Sequence, residues 1–139
     1  MIQPPTEHQE QSAVVSYLQA AYPNVLFFSI PNGAMLGGGK IGAIRMNALK
    51  ATGLLPGVSD LCIFEPRGGY SAMFVEMKRA DGGSGASENQ LWFLREVEKR
   101  GAFGVVAFGA EDAIFYIDRY LDGKIVIDAA VNLLDIRTK

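Results

Sequence analysis

The sequence predicts an α/β fold with a central mixed sheet flanked by helices. Four short apolar runs, near 25–30, 59–64, 73–78 and 103–108, have strand length and strand composition. Between them lie segments whose apolar residues recur at helical spacing. The chain has 139 residues, of which 49% are apolar, and shows no repeat or low-complexity tract. That is enough for one hydrophobic core. A single domain over 1–139 is expected, with its core at about 7–121 and an extension at 122–139.

Met1 to Thr6, with Pro4-Pro5, reads as a short arm. A helix is predicted from about Glu7 to Ala21, with Val14, Leu18 and Ala21 on one stripe. Tyr22-Pro23-Asn24 ends it. Val25 to Ile30 is a short strand, expected to be buried. Pro31-Asn32-Gly33 breaks it, and Gly37-Gly38-Gly39-Lys40 follows as a loop. This loop is not a phosphate-binding P-loop: Ala34 stands where that motif needs Gly, and Ile41 follows Lys40 where Ser or Thr is required. A short helix is expected from Ile41 to Thr52, stopped by Gly53. Two strands follow, Ser59 to Phe64 and Met73 to Lys78, joined through a turn at Glu65-Pro66-Arg67-Gly68-Gly69. Ser87-Glu88-Asn89-Gln90 opens a helix running to about Arg100, with Leu91, Leu94 and Val97 inward. Phe103 to Phe108 is another strand and Glu111 to Leu121 another helix. Ile125-Val126-Ile127 reads as a late strand or an extended arm.

Bulk properties exclude several classes. No apolar run reaches the ~18 residues of a membrane span, and no signal sequence opens the chain. One Cys excludes an intrachain disulfide framework and a multi-cysteine zinc site. One His argues against histidine-based zinc hydrolysis. These features point to a reducing, cytoplasmic location without a membrane partner. Net charge is −2, yet no Asp or Glu occurs between Glu10 and Asp60, a stretch that carries Lys40, Arg45 and Lys50. Such a local basic segment suits phosphate contacts; chance clustering of three charges is the plainer reading.

The chemistry centres on the second and third apolar runs. Asp60 sits in one of them, and Glu76-Met77-Lys78 lies sixteen residues further on in the other. Successive strand side chains point to opposite faces, so Glu76 and Lys78 share a face. If the turn at 65–69 pairs the strands, Asp60 comes near both. Charges rarely enter such positions unpaired, because desolvation costs several kcal/mol or so per ion. Carboxylate oxygens suit Mg²⁺ or Mn²⁺. Taken alone, an E-x-K on a strand is more often a solvated face, and Asp60 could be half of a structural ion pair.

Asp60 followed by Glu76-Met77-Lys78 resembles the PD-(D/E)XK nuclease superfamily. Gly53-Leu54-Leu55-Pro56-Gly57-Val58-Ser59-Asp60 is similar to the Gly-x-Pro-Gly-x-(Pro/Ser)-Asp run of its VRR-NUC branch, with Ser59 where the superfamily name has Pro. The resemblance spans roughly Glu7 to Ile117 and implies a restriction-endonuclease-like αβββαβ core. It implies that Asp60, Glu76 and the Met77 backbone carbonyl hold Mg²⁺ or Mn²⁺. Lys78 would position or help deprotonate the attacking water and stabilise phosphorane charge. The family also has a Glu on its first helix. His8-Gln9-Glu10-Gln11 resembles that segment, so Glu10 is expected to be a second-metal ligand, directly or through water. Glu7 shares its face and competes for the role, and Gln11 matches a family position without assigned chemistry. The family's Gln at the third helix implies site contact for Gln90, whose plainer role is the Ser87 capping box.

Asn32, Lys40 and Arg45 are candidate DNA contacts, although Asn32-Gly33 could equally be a plain turn. His8 reads as solvated, Cys62 as a buried small residue, and Tyr17, Phe27, Phe28, Trp92 and Phe93 as core or interface. The resemblance implies a stand-alone VRR-NUC domain of phage type, in a bacterial or phage-infected host cell. Its expected activity is hydrolysis of DNA phosphodiesters to a 5′-phosphate and a 3′-hydroxyl. A Holliday junction resolvase acting on four-way junctions is the leading reading. Two symmetric cuts would require a homodimer. A flap or general nuclease, or a DNA-binding module with vestigial site residues, are the alternatives.

Overall fold

The computed structural model describes residues 2–31 and 36–127. The elements are α1 (Glu7–Ala21), β1 (Phe27–Ser29), α2 (Gly39–Ala51), β2 (Leu61–Ile63), β3 (Met73–Lys78), α3 (Glu88–Lys99), β4 (Phe103–Phe108) and α4 (Ala110–Leu121). They form the mixed sheet expected from the sequence, in the order β1-β2-β3-β4. β1–β2 and β2–β3 are antiparallel; β3–β4 is parallel, with α3 as the crossover.

Register assigns the two faces. Leu61 lies opposite Val75, which lies opposite Val105, and all three are fully buried. Their face packs against Val14 and Leu18 of α1 and Ala113, Ile117 and Tyr120 of α4 in the main core. α1 is joined to α4 by Tyr17 and Tyr22, whose hydroxyls both donate to Asp118 Oδ1, at 2.6 and 2.7 Å. The opposite face carries Phe74, Glu76, Lys78, Val106 and Phe108, and α3 covers part of it through Leu94, Leu91 and Phe93.

Several expectations need correction. β1 spans Phe27–Ser29 and not 25–30, because Val25 N–H turns back to the Tyr22 carbonyl. It is not buried: Phe28 and Ser29 are exposed. β1 is the sheet edge, and α3 packs mainly on β3 and β4, which leaves Phe28 45% exposed. Ala21 is exposed, leaving Val14 and Leu18 as the buried stripe of α1. Ile125–Ile127 is not a strand: Ile127 N–H donates to the Gly68 carbonyl, while Ile125 fills the core edge. Asn32 and residues 128–139 fall outside the described residues. Among the described residues, no helix is long and apolar enough to cross a membrane.

Candidate active site

Asp60 immediately precedes β2. The register that pairs Leu61 with Val75 places Asp60 across from Glu76. The regular β2–β3 ladder ends there, and the Asp60 side chain takes over from it: Met77 N–H donates to Asp60 Oδ2 at 2.7 Å. A residue's N–H and C=O point to the same side of a strand. The Met77 carbonyl therefore faces the Asp60 side, whereas the Lys78 carbonyl faces the other way and accepts from Gly109 N–H at 2.8 Å. Behind Asp60, its own carbonyl accepts from Ile30 N–H at 3.0 Å, which ties the end of β1 to the same point.

Glu76 is 2% exposed and Lys78 is 7% exposed, far below what solvated charges would show. Lys78 Nζ lies 3.6 Å from Glu76 Oε1 and 3.8 Å from Glu7 Oε1. Burial pushes the Glu76 carboxyl up to about 8, and the charge of neighbouring Asp60 adds to the effect. Burial also raises Asp60, against the lowering effect of the Met77 amide and Lys78. Glu76 Oε2 is buried without a hydrogen-bond partner. Two carboxyls that resist ionisation, Asp60 half-buried and Glu76 buried with an orphaned oxygen, form a set that a divalent cation would satisfy. Among the described residues no three acidic, His or Cys side chains converge tightly enough to enclose an ion. Two carboxylates with one backbone carbonyl still fit Mg²⁺, which usually keeps several waters and takes few protein ligands.

A cleft of about 1000 Å³ opens over Asp60, lined also by Glu7, Gln11, Ser29, Ile30 and Arg79. Arg79 is a site residue that the sequence reading missed. Its guanidinium pairs with Asp81 at 2.6 Å, and its Nε is buried without a partner. Its position directly after Glu76-x-Lys78 was the available signal.

The first helix separates its two carboxylates. Glu10 is buried, but it is turned away from Lys78: its Oε2 accepts from Ala110 N–H at the start of α4. The cap position of α4 is Gly109, which has no side chain to offer, and Glu10 supplies the missing acceptor from α1. Glu7 is the carboxylate facing Lys78 and the cleft. The geometry therefore favours Glu7 over Glu10 as the helix carboxylate of the site.

Gln90 completes the capping box: Ser87 N–H donates to its Oε1 at 2.8 Å, and Gln90 N–H donates to Ser87 Oγ at 3.2 Å. No hydrogen bond joins it to Glu76 or Lys78 among the described residues. The loop before Asp60 nevertheless rests on this helix start. Gly57 has φ +92°, and a Cβ there would overlap the Asn89 carbonyl. Lys40 and Arg45 lie on α2, where Arg45 Nη1 donates to the Leu36 carbonyl at 3.0 Å. His8 lines the cleft mouth; Cys62 is buried, as expected.

An α/β sheet that gathers Asp60, Glu76 and Lys78 at the end of its central strands has the architecture of the nuclease superfamily that the sequence resembles. The VRR-NUC domain model matches residues 6–111, and the chain belongs to that nuclease family. Among solved structures, a VRR_NUC domain protein matches with a TM-score of 0.71 at 24% identity, covering 88% of this chain and 93% of that one. This likeness supports the fold. No curated protein matches.

Proposed function

We propose that the protein is a divalent-metal-dependent, structure-selective DNA endonuclease, with four-way junctions as its leading substrate. The supporting observation is the buried Glu76 carboxyl, its Oε2 unpartnered, beside Asp60 under an open cleft. Asp60, Glu76 and the Met77 carbonyl would hold Mg²⁺ or Mn²⁺, and Glu7 would take the second-ion or water-mediated role. A bound divalent ion supplies a nucleophilic hydroxide near neutral pH and charge against a phosphoryl oxygen.

The chain's own groups do the rest. The Met77 amide fixes the Asp60 carboxylate, so its orientation is set before substrate arrives. Lys78 stands between Glu76 and Glu7 at ion-pair rather than short hydrogen-bond distance. Its ammonium is thus placed to hold a water and to meet negative charge as it builds on the phosphate. Arg79 on the cleft wall is placed for a flanking phosphate. Paired cuts on a junction would require two such sites, hence a homodimer.

The test is cleavage of a labelled four-way junction with Mg²⁺ or Mn²⁺, alongside flap, linear duplex and single-stranded DNA, with Asp60→Ala as control. Symmetric nicks that vanish in Asp60→Ala are expected. Cleavage of all DNAs alike would remove the junction reading. Unchanged cleavage by Asp60→Ala would remove the site assignment. Tight junction binding without cleavage in either metal would leave a binding module.

A further inference from the structure

We propose that α2 is the substrate-selecting arm of this nuclease, a helix whose exposed aliphatic residues engage unstacked bases at a branch in DNA. The proposal rests on the nuclease reading above and adds the element that would choose the substrate.

α2 is poorly explained by the protein's own packing. Its only buried residue is Gly42. Ile41 is 62% exposed and Ile44 57%, with Ala48 completing their stripe at helical spacing. A helix of this length draws most of its stability from burying an apolar face. Among the described residues that face packs against no other helix or strand to any great extent. Both ends are marked by glycines at positive φ with no neighbour near a would-be Cβ, Gly39 at +68° and Gly53 at +111°. Both ends are therefore free of close neighbours among the described residues, while Gly42 packs against the Gly37 carbonyl.

Charge decides between partners. Between Glu10 and Asp60 the chain has no acidic residue, and α2 itself carries Lys40, Arg45 and Lys50. A second copy would bring another helix of the same sign. A linear duplex answers the charge but keeps its bases stacked and offers no apolar face. A branch point answers both, because the strands part there and base faces become accessible. Aliphatic side chains are known to wedge between base steps in this way.

Topology places the arm beside the chemistry. The excursion that holds α2 leaves after β1 and returns at Asp60, and Ile30 N–H closes its neck on the Asp60 carbonyl at 3.0 Å. Ile30 and Asp60 line the same cleft. The neck of the arm is therefore fixed at the carboxylate that Asp60 contributes.

The experiment compares the full chain with the double variant Ile41→Ser/Ile44→Ser. The DNAs are a four-way junction and a linear duplex, each with 2-aminopurine at the equivalent base. Binding is read in EDTA; cleavage is then started with Mg²⁺. Wild type is expected to raise the fluorescence at the branch and leave the duplex unchanged. The double variant should lose that rise and lose about tenfold of the preference for junction over duplex. Lys40→Gln/Lys50→Gln should weaken binding to both DNAs and reduce the salt slope by about two. An undiminished fluorescence rise and junction preference in the isoleucine variant would overturn the proposal. So would a dimer that becomes monomeric in that variant while the fluorescence persists, since the face would then belong to a second copy. Branch opening that depends on the isoleucines without any cleavage would retire the nuclease reading and leave the arm. Cleavage indifferent to α2 would do the reverse.

Discussion

Replacing Glu76 by Gln should make the metal-free protein more stable at neutral pH. Glu76 is 2% exposed, and its carboxyl sits at about 8 against an ordinary 4.5. Below pH 4.5 the side chain is protonated both folded and unfolded. Above it, the unfolded chain releases the proton while the fold retains it, so stability falls as pH rises, until the folded carboxyl itself ionises near 8. At pH 7 the loss covers two and a half pH units at about 1.4 kcal/mol each, or about 3 kcal/mol. Glu76→Gln keeps the volume and removes the proton linkage. Urea unfolding in EDTA at pH 5 and pH 8 would measure it. Wild type should lose several kcal/mol more than the variant between the two pH values. Mn²⁺ at a hundredfold excess over its dissociation constant should return about 2.7 kcal/mol to wild type at pH 8 and far less to the variant. Parallel pH profiles for the two proteins would refute the assignment of Glu76 as a strained, proton-holding ligand.

Glu7→Gln should lower cleavage with little change in unfolding free energy, whereas Glu10→Ala should cost about 1 kcal/mol by uncapping α4; activity assays and urea titrations on both variants separate the two roles. Gly57→Ala should destabilise by about 1–3 kcal/mol, since it combines a left-handed φ with overlap on Asn89, and should reduce activity by shifting Asp60. Ser59 is fully buried with Oγ unpartnered, so Ser59→Ala should raise stability by about 1 kcal/mol, checked by thermal unfolding with EDTA present.

The central pair of strands was legible because charge in an apolar run is anomalous. Asp60, Glu76 and Lys78 stand out in sequence for the same reason that they are strained in the fold. The two acids of α1 were less legible. Glu7 and Glu10 are three residues apart on one helix face, and sequence spacing does not reveal how α1 leans on α4. That lean sends Glu10 to Ala110 and leaves Glu7 at the cleft. Gln90 shows the converse: its capping pattern was visible in the sequence, and the capping box forms. β1 was read as buried because an apolar run looks alike at the edge and the centre of a sheet. The exposure of α2 was not legible either, since its composition suits an ordinary packed helix.

The bond from Glu10 to the start of α4 joins residues a hundred positions apart, and the neighbouring Gly109 holds the end of the strand that bears Lys78. The first helix therefore cannot reach its final setting until the last one exists. During synthesis, a nascent chain that has made Asp60, Glu76 and Lys78 still lacks the elements that hold them in place. For a member of a nuclease family, this order of assembly would act as a safeguard. Incomplete or prematurely terminated chains are expected to be inert, and the ability to cut arrives only with the near-complete fold.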